Sequence, residues 1–196
     1  MGSRGKMDLT SRCPRCFVVL EYCICPYIPR VETRTRFIVV RHMIERFKSS
    51  NTARVAALAL PNCTVWDWGI KDQPLPADLL VTSASSMLLF PAHAPVAVRE
   101  PPATVVVLDG SWSQARHMMQ KIPALQTMPR LVLPAPVLSA QRLRQPPHPE
   151  GMSTLEAMAN TVGLLESPEQ GELLMRLHAL FVGSVLATKG RRIGDR

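Results

Sequence analysis

Thr104-Val-Val-Val-Leu-Asp-Gly-Ser-Trp-Ser-Gln-Ala-Arg116 is the stretch on which the fold turns. Its apolar run, Val105 to Leu108, suits a strand buried on both faces. Asp109-Gly110 stops the run. Ser111 and Gln114 then have the spacing of a capping box, in which each side chain satisfies a backbone amide of the first helical turn. A strand feeding a helix is the unit of an open α/β sheet, and such sheets bind ligands beyond the carboxyl ends of their strands. An acid, a glycine turn and a tryptophan at this corner read either as a site or as a plain strand–turn–helix corner with a stacking Trp.

The same alternation extends in both directions. Strand signals fall at Phe37–Val40, Cys63–Asp67, Ser86–Phe90, Val105–Leu108 and Arg130–Leu133. Helix signals fall at Asn51–Leu60, Trp112–Lys121, Ser153 to about Leu165, and Glu169–Ala187. Ser153-Thr-Leu-Glu156 is a second capping box. Residues 91–103 carry four prolines and read as a loop, and residues 134–149 as a basic, proline-broken stretch. Interleaved strands and helices predict an α/β fold: a mostly parallel sheet with helices on both faces.

Composition bounds the function. At 196 residues the chain holds one good core and a small appendage. Its hydrophobic content of 46% rules out a disordered chain. No apolar run approaches the ~20 residues of a membrane span, and the polar start has no secretory h-region, so a cytoplasmic protein without membrane association is expected. The net charge of +8 suits a polyanion such as nucleic acid, and suits plain solubility as well. Nothing in the chain specifies an oligomer, and a monomer is expected.

Cys13, Cys16, Cys23 and Cys25 crowd into thirteen residues with the spacing C-x2-C-x6-C-x-C. Without a secretion signal, metal is a better reading than disulfides, and four thiolates complete a closed tetrahedral zinc shell. Arg12 and Arg15 stand at the first knuckle and partly offset its negative charge. Cys63, alone at the head of an apolar run, is expected to be a buried small residue. The chain then divides into a flexible basic arm (1–11), a zinc ribbon (12–30) too short to hold a core without its ion, a main domain (31–188) and a basic tail (189–196).

Two further segments carry polar chemistry. His42-Met-Ile-Glu-Arg-Phe-Lys-Ser-Ser-Asn-Thr-Ala-Arg54 follows a strand and enters a helix that Ser50, Asn51 or Thr52 can cap. Free amides at such a terminus receive anionic groups, with Arg41, Arg46, Lys48 and Arg54 adding charge. Leu138-Ser-Ala-Gln-Arg-Leu-Arg144 places Arg142 and Arg144 in a proline-bounded loop, able to grip phosphate or merely to solubilise.

Taken together, these segments resemble the DTW-domain family of tRNA-uridine aminocarboxypropyltransferases. The family signature Asp-x-Thr/Ser-Trp stands as Asp109-Gly-Ser-Trp112, with Ser111 where Thr is frequent. The amino-terminal cysteine cluster is matched by Cys13, Cys16, Cys23 and Cys25. Ser50 to Arg54, Leu138 to Arg144, and Thr154 with Glu156 supply the remaining elements, in order, between residue 12 and about residue 160. The resemblance implies transfer of the 3-amino-3-carboxypropyl group of S-adenosylmethionine to N3 of a tRNA uridine, releasing methylthioadenosine. It also implies a SPOUT-like sheet with a carboxy-terminal trefoil knot, which no periodicity would suggest, since knots are nearly absent from proteins.

Under that resemblance the residues take roles. Trp112 packs on the sulfonium and its methyl, turning the amino-acid arm toward the acceptor. Amides around Leu108, Gly110 and Ser111, and in the Ser153–Thr154–Leu155 turn, hold ribose, adenine and carboxylate, while Asn51 and Thr52 fix the amino-acid end. Asp109 accepts or orients the N3 proton; a carboxylate beside a helix N-terminus is expected to have a low pKa, which makes it a poor base. His42, Arg54, Arg116, Arg142 and Arg144 form the tRNA-facing set, with the zinc ribbon as a second contact. A SPOUT-type RNA methyltransferase and a non-catalytic zinc-ribbon RNA-binding protein are the rival readings.

Overall fold

The computed structural model describes residues 10–76, 78–80, 85–91, 100–133, 142–143, 151–188 and 190. Among them run β1 (Arg36–His42), α1 (Thr52–Ala59), β2 (Cys63–Trp68), β3 (Ser86–Leu89), β4 (Thr104–Asp109), α2 (Trp112–Lys121), α3 (Pro123–Thr127), β5 (Arg130–Leu131), α4 (Thr154–Leu165) and α5 (Pro168–Ala187). The five strands form one sheet in the order β2-β1-β4-β3-β5, and every pairing is parallel. All carboxyl ends therefore lie along one edge.

Side chains alternate across the sheet because the strand period is two. Phe37, Val39, Val105, Val107 and Leu131 face α1, α4 and α5 in the larger core. Ile38, Val40, Val106 and Leu88 face the other way, against Met118 of α2 and Leu125 of α3. The expected α/β sheet with helices on both faces is thus present. The helices α4 and α5 approach closely where Gly163 meets Gly171: a Cβ on Gly171 would fall 2.7 Å from the Gly163 Cα and 2.9 Å from the Ala159 carbonyl.

Three details depart from the sequence expectation. Pro123 ends α2 and starts the unforeseen α3, because a proline costs a hydrogen bond inside a helix but none at its first position. The strand expected over Arg130–Leu133 is only Arg130–Leu131, since its neighbour β3 runs out at Leu89. Cys63 is half-buried rather than buried, because β2 is the edge strand. The cysteine segment holds two short 3-10 turns and an isolated Arg12–Val19 bridge. It does not stand apart: Cys13, Cys16, Val18 and Ile24 belong to the larger core. The expected carboxy-terminal trefoil knot is not tested by the described residues, which between 134 and 150 are only Arg142 and Leu143.

Candidate active site at the β1–β4 crevice

After β1 the chain crosses to β2 at one edge of the sheet; after β4 it crosses to β5 at the other. The carboxyl ends of these two central neighbours thus flank a switch-point crevice, the place where an open parallel sheet binds ligands. Asp109 is the last residue of β4, in register with Arg41 of β1. It is 5% exposed.

Three helix starts converge here. Asn51 caps α1, its Oδ1 accepting from the Arg54 amide at 3.1 Å. This leaves the Asn51 Nδ2 to donate to Asp109 Oδ2 at 2.5 Å. At the start of α4, Thr154 Oγ1 donates to Asp109 Oδ1 at 2.6 Å. Thr52 Oγ1 accepts from the Leu155 amide at 3.3 Å, which locks α1 to α4. The start of α2 supplies the third side: the Ser111 amide donates to Gln114 Oε1 at 2.6 Å and the Gln114 amide to Ser111 Oγ at 3.3 Å. Glycine suits position 110 beside that cap, since a Cβ there would press on the Gln114 Cβ at 3.0 Å.

Burial pushes the Asp109 pKa above the ordinary carboxylate value, and the hydrogen bonds from Thr154 and Asn51 offset this only in part. The direction is opposite to the one expected for an acid at a helix terminus. The reason is tertiary: α1 and α4 close over the end of β4 and strip it of water.

Two adjoining cavities open at this corner. One, of about 410 Å³, touches the polar side chains of Asn51, Thr52, Asp109, Ser111, Arg142 and His178. The other, of about 500 Å³, lies over the ends of β3, β4 and β5 and touches mostly apolar residues, among them Phe90, Leu108, Leu131 and Val132. Gly110, Trp112, Ser153 and Thr154 line both, and both volumes suit a small-molecule ligand. Trp112 is half-buried, edge-on to Phe90 at 6.0 Å.

A second candidate site lies at the amino-terminal segment. The Sγ atoms of Cys13, Cys16, Cys23 and Cys25 all lie within 4.8 Å of one another, with Cys13–Cys25 at 3.5 Å and Cys16–Cys23 at 3.8 Å. A tetrahedral zinc with Zn–S near 2.3 Å needs sulfur–sulfur edges of about 3.8 Å, so the donor set fits zinc in type and spacing. Crowding splits the thiols. Burial raises Cys13, but the Cys16 and Arg15 amides and the neighbouring thiols outweigh it and bring it to about 6; burial and its three partners push Cys25 up to about 12.

The family match now has a structural counterpart. The DTW domain matches residues 10–186. The chain belongs to the DTW domain family. It is similar to tRNA-uridine aminocarboxypropyltransferase 2 of Drosophila melanogaster, at 30% identity over 87% of this chain and 73% of that protein. It is similar also to tRNA-uridine aminocarboxypropyltransferase 2 of Mus musculus (27%) and of Macaca fascicularis (26%), each over 86% of this chain and 61% of the relative. No solved structure matches.

In this DTW domain, Leu108, Gly110, Ser111, Trp112, Asn51, Thr52, Ser153 and Thr154 gather around Asp109, against the two cavities. Leu155 is fully buried behind them, its amide engaged by Thr52. The cationic set scatters. Arg142 faces inward: its Nη1 donates to the Gly151 carbonyl at 2.9 Å and its Nε lies 4.0 Å from Glu156. Arg54 is half-buried, stacked 4.3 Å from the Phe17 ring centroid. His42 turns its Nδ1 to the Ile44 amide at 3.3 Å and its ring toward Trp68, and burial lowers its pKa. Arg116 is exposed on α2, and Arg144 lies outside the described residues.

Sequence reasoning missed His178 and the site role of Glu156. Both are nearly sealed from solvent, with His178 Nε2 3.7 Å from Glu156 Oε2. Burial lowers the His178 pKa, Glu156 opposes this, and Arg142 reinforces it. A single histidine midway along α5 gave no signal of this; only the α4–α5 packing brings it to the cavity floor.

Proposed function

We propose that this protein is a tRNA-uridine aminocarboxypropyltransferase that uses S-adenosylmethionine. It would move the 3-amino-3-carboxypropyl group to N3 of a tRNA uridine and release methylthioadenosine. The N3–carbon bond forms as the carbon–sulfur bond breaks, and the N3 proton leaves to a base. The names of the curated relatives support the reaction class. The observation that carries it to residues is Asp109: a buried carboxylate held by two helix starts, facing one cavity and next to the Gly110 and Trp112 that line both.

The cavity beside Phe90 and Leu131 suits the nucleoside and methylthio part of the donor, and the one beside Asn51 and Asp109 suits the amino-acid arm and the uracil edge. Trp112 stands between them and packs on the sulfonium, whose charge favours an aromatic face. Asn51, Thr52 and Arg142 orient the amino-acid arm. Asp109 accepts the N3 proton; its raised pKa makes it a better base than an ordinary carboxylate, and a fixed partner geometry holds it in place. His42 and the exposed Arg116, with Arg144, the basic arm (1–11) and the tail (189–196), meet RNA. Residues 12–30 hold structural zinc through Cys13, Cys16, Cys23 and Cys25, and residues 31–188 form a SPOUT-like domain with a carboxy-terminal trefoil knot. A cytoplasmic monomer completes the reading.

The deciding experiment incubates unmodified tRNA with the protein and S-adenosylmethionine. Mass spectrometry should find the added aminocarboxypropyl mass on uridine, with methylthioadenosine released. Release of S-adenosylhomocysteine instead would assign methyl transfer, and no product of either kind would sink both.

A further inference from the structure

Phe17 follows the second cysteine of the cluster, and its φ is 66°, in the left-handed region that favours glycine. The turn uses only its backbone: the Phe17 amide donates to the Cys13 carbonyl at 2.9 Å, and the Cys13 amide to the Val18 carbonyl at 2.8 Å. Glycine would satisfy both bonds without strain. The ring must therefore serve something outside the turn.

It lies beneath Arg54, whose guanidinium carbon is 4.3 Å from the ring centroid; Arg12 is more distant at 5.8 Å. At 4.3 Å the guanidinium sits well inside cation–π range. Arg54 in turn braces the approach to α1. Its Nη2 donates to the Arg46 carbonyl, and its amide donates to Asn51 Oδ1 at 3.1 Å. With that oxygen held, Asn51 Nδ2 meets Asp109 at 2.5 Å. One path thus runs from the four-cysteine loop through Phe17, Arg54 and Asn51 to Asp109.

We propose that Phe17 is a positioning residue: its ring clamps Arg54, fixes the Asn51 amide against Asp109, and so ties the metal-binding loop to the active-site carboxylate. The strained backbone at Phe17 is the consequence of placing an aromatic plane where the turn alone asks for glycine.

The test is Phe17→Gly in the full zinc-loaded chain, which removes the ring while relieving the backbone. Zinc stoichiometry should stay at the wild-type value. Hydrogen exchange across residues 50–56 should rise on the order of tenfold, the scale of one cation–π contact. The kcat for transfer should fall by a similar factor, with KM for S-adenosylmethionine near wild type. Phe17→Tyr, which restores a ring, should return both. Unchanged exchange in Phe17→Gly would overturn the proposal. So would loss of zinc, because the ring would then brace the metal loop itself. Arg54→Met approaches from the other end: added to Phe17→Gly it should change little, and full additivity would overturn the clamp. The kcat arm rests on the transferase reading, whereas the exchange arm does not. A rise in exchange with no transfer by the wild-type protein would sink that reading and leave the clamp standing.

Discussion

The helices α2 and α4 begin with the same local device and end with different roles. Ser111 and Gln114 form one capping box, and Ser153 and Glu156 the other. The first sits at the surface, with Ser111 exposed. The second is driven into the molecule. Glu156 is 1% exposed and gathers the Ser153 amide, Arg142 and His178, while the neighbouring Thr154 reaches Asp109. A capping box fixes where a helix starts. What its side chains do afterwards depends on what packs over them, and here α5 covers one box and solvent the other.

The largest expected effect tests whether the buried cap serves chemistry through Asp109. Asp109→Asn should lower transfer by roughly 10²–10⁴-fold while S-adenosylmethionine still binds, measured by kcat and by equilibrium titration. Stability should not fall. The raised pKa of Asp109 means that the folded state loses stability as pH rises through that value, so a neutral side chain removes the cost. The Thr154 hydroxyl can reverse its bond to suit the amide. Unchanged turnover would end the proposed role of Asp109 as proton acceptor.

Next comes the contrast between the boxes themselves. Glu156→Ala should cost about 3 kcal/mol, because it leaves Arg142 and His178 buried beside a void, whereas Gln114→Ala should cost only about 0.5–1 kcal/mol. Denaturant unfolding of the two variants reads the difference directly, and equal losses would show that burial is not what separates them. A related expectation concerns the helix that covers the second box. Gly171→Ala should cost roughly 1–3 kcal/mol through collision with Gly163, and a milder result would mean that the α4–α5 crossing can open.

The smallest effect is that of pH. Burial lowers the His178 pKa below its ordinary 6.5, so the unfolded chain binds this proton more readily than the folded one. Its contribution is complete above pH 6.5 and is lost as pH falls through the lowered value. His178→Gln should flatten that part of the stability profile between pH 7 and 5.

By itself, the sequence determined the parts. Alternating apolar runs specified five strands, and hydroxyl, glycine and proline punctuation specified most helix ends, because these depend on neighbours within one or two turns. Four cysteines in thirteen residues specified a loop whose thiols could hold a metal ion, for the same reason. The ordered motifs also pointed to the family. Only tertiary structure decided the strand order, and with it the meeting of Asn51, Asp109 and Thr154 across separations of 58 and 45 positions. The sign of the Asp109 pKa shift followed from that meeting, since desolvation is a property of everything packed around a group. So did the fate of Arg54: its charge suggested RNA, but a guanidinium goes where a flat partner and a carbonyl await it, and folding placed both beside α1.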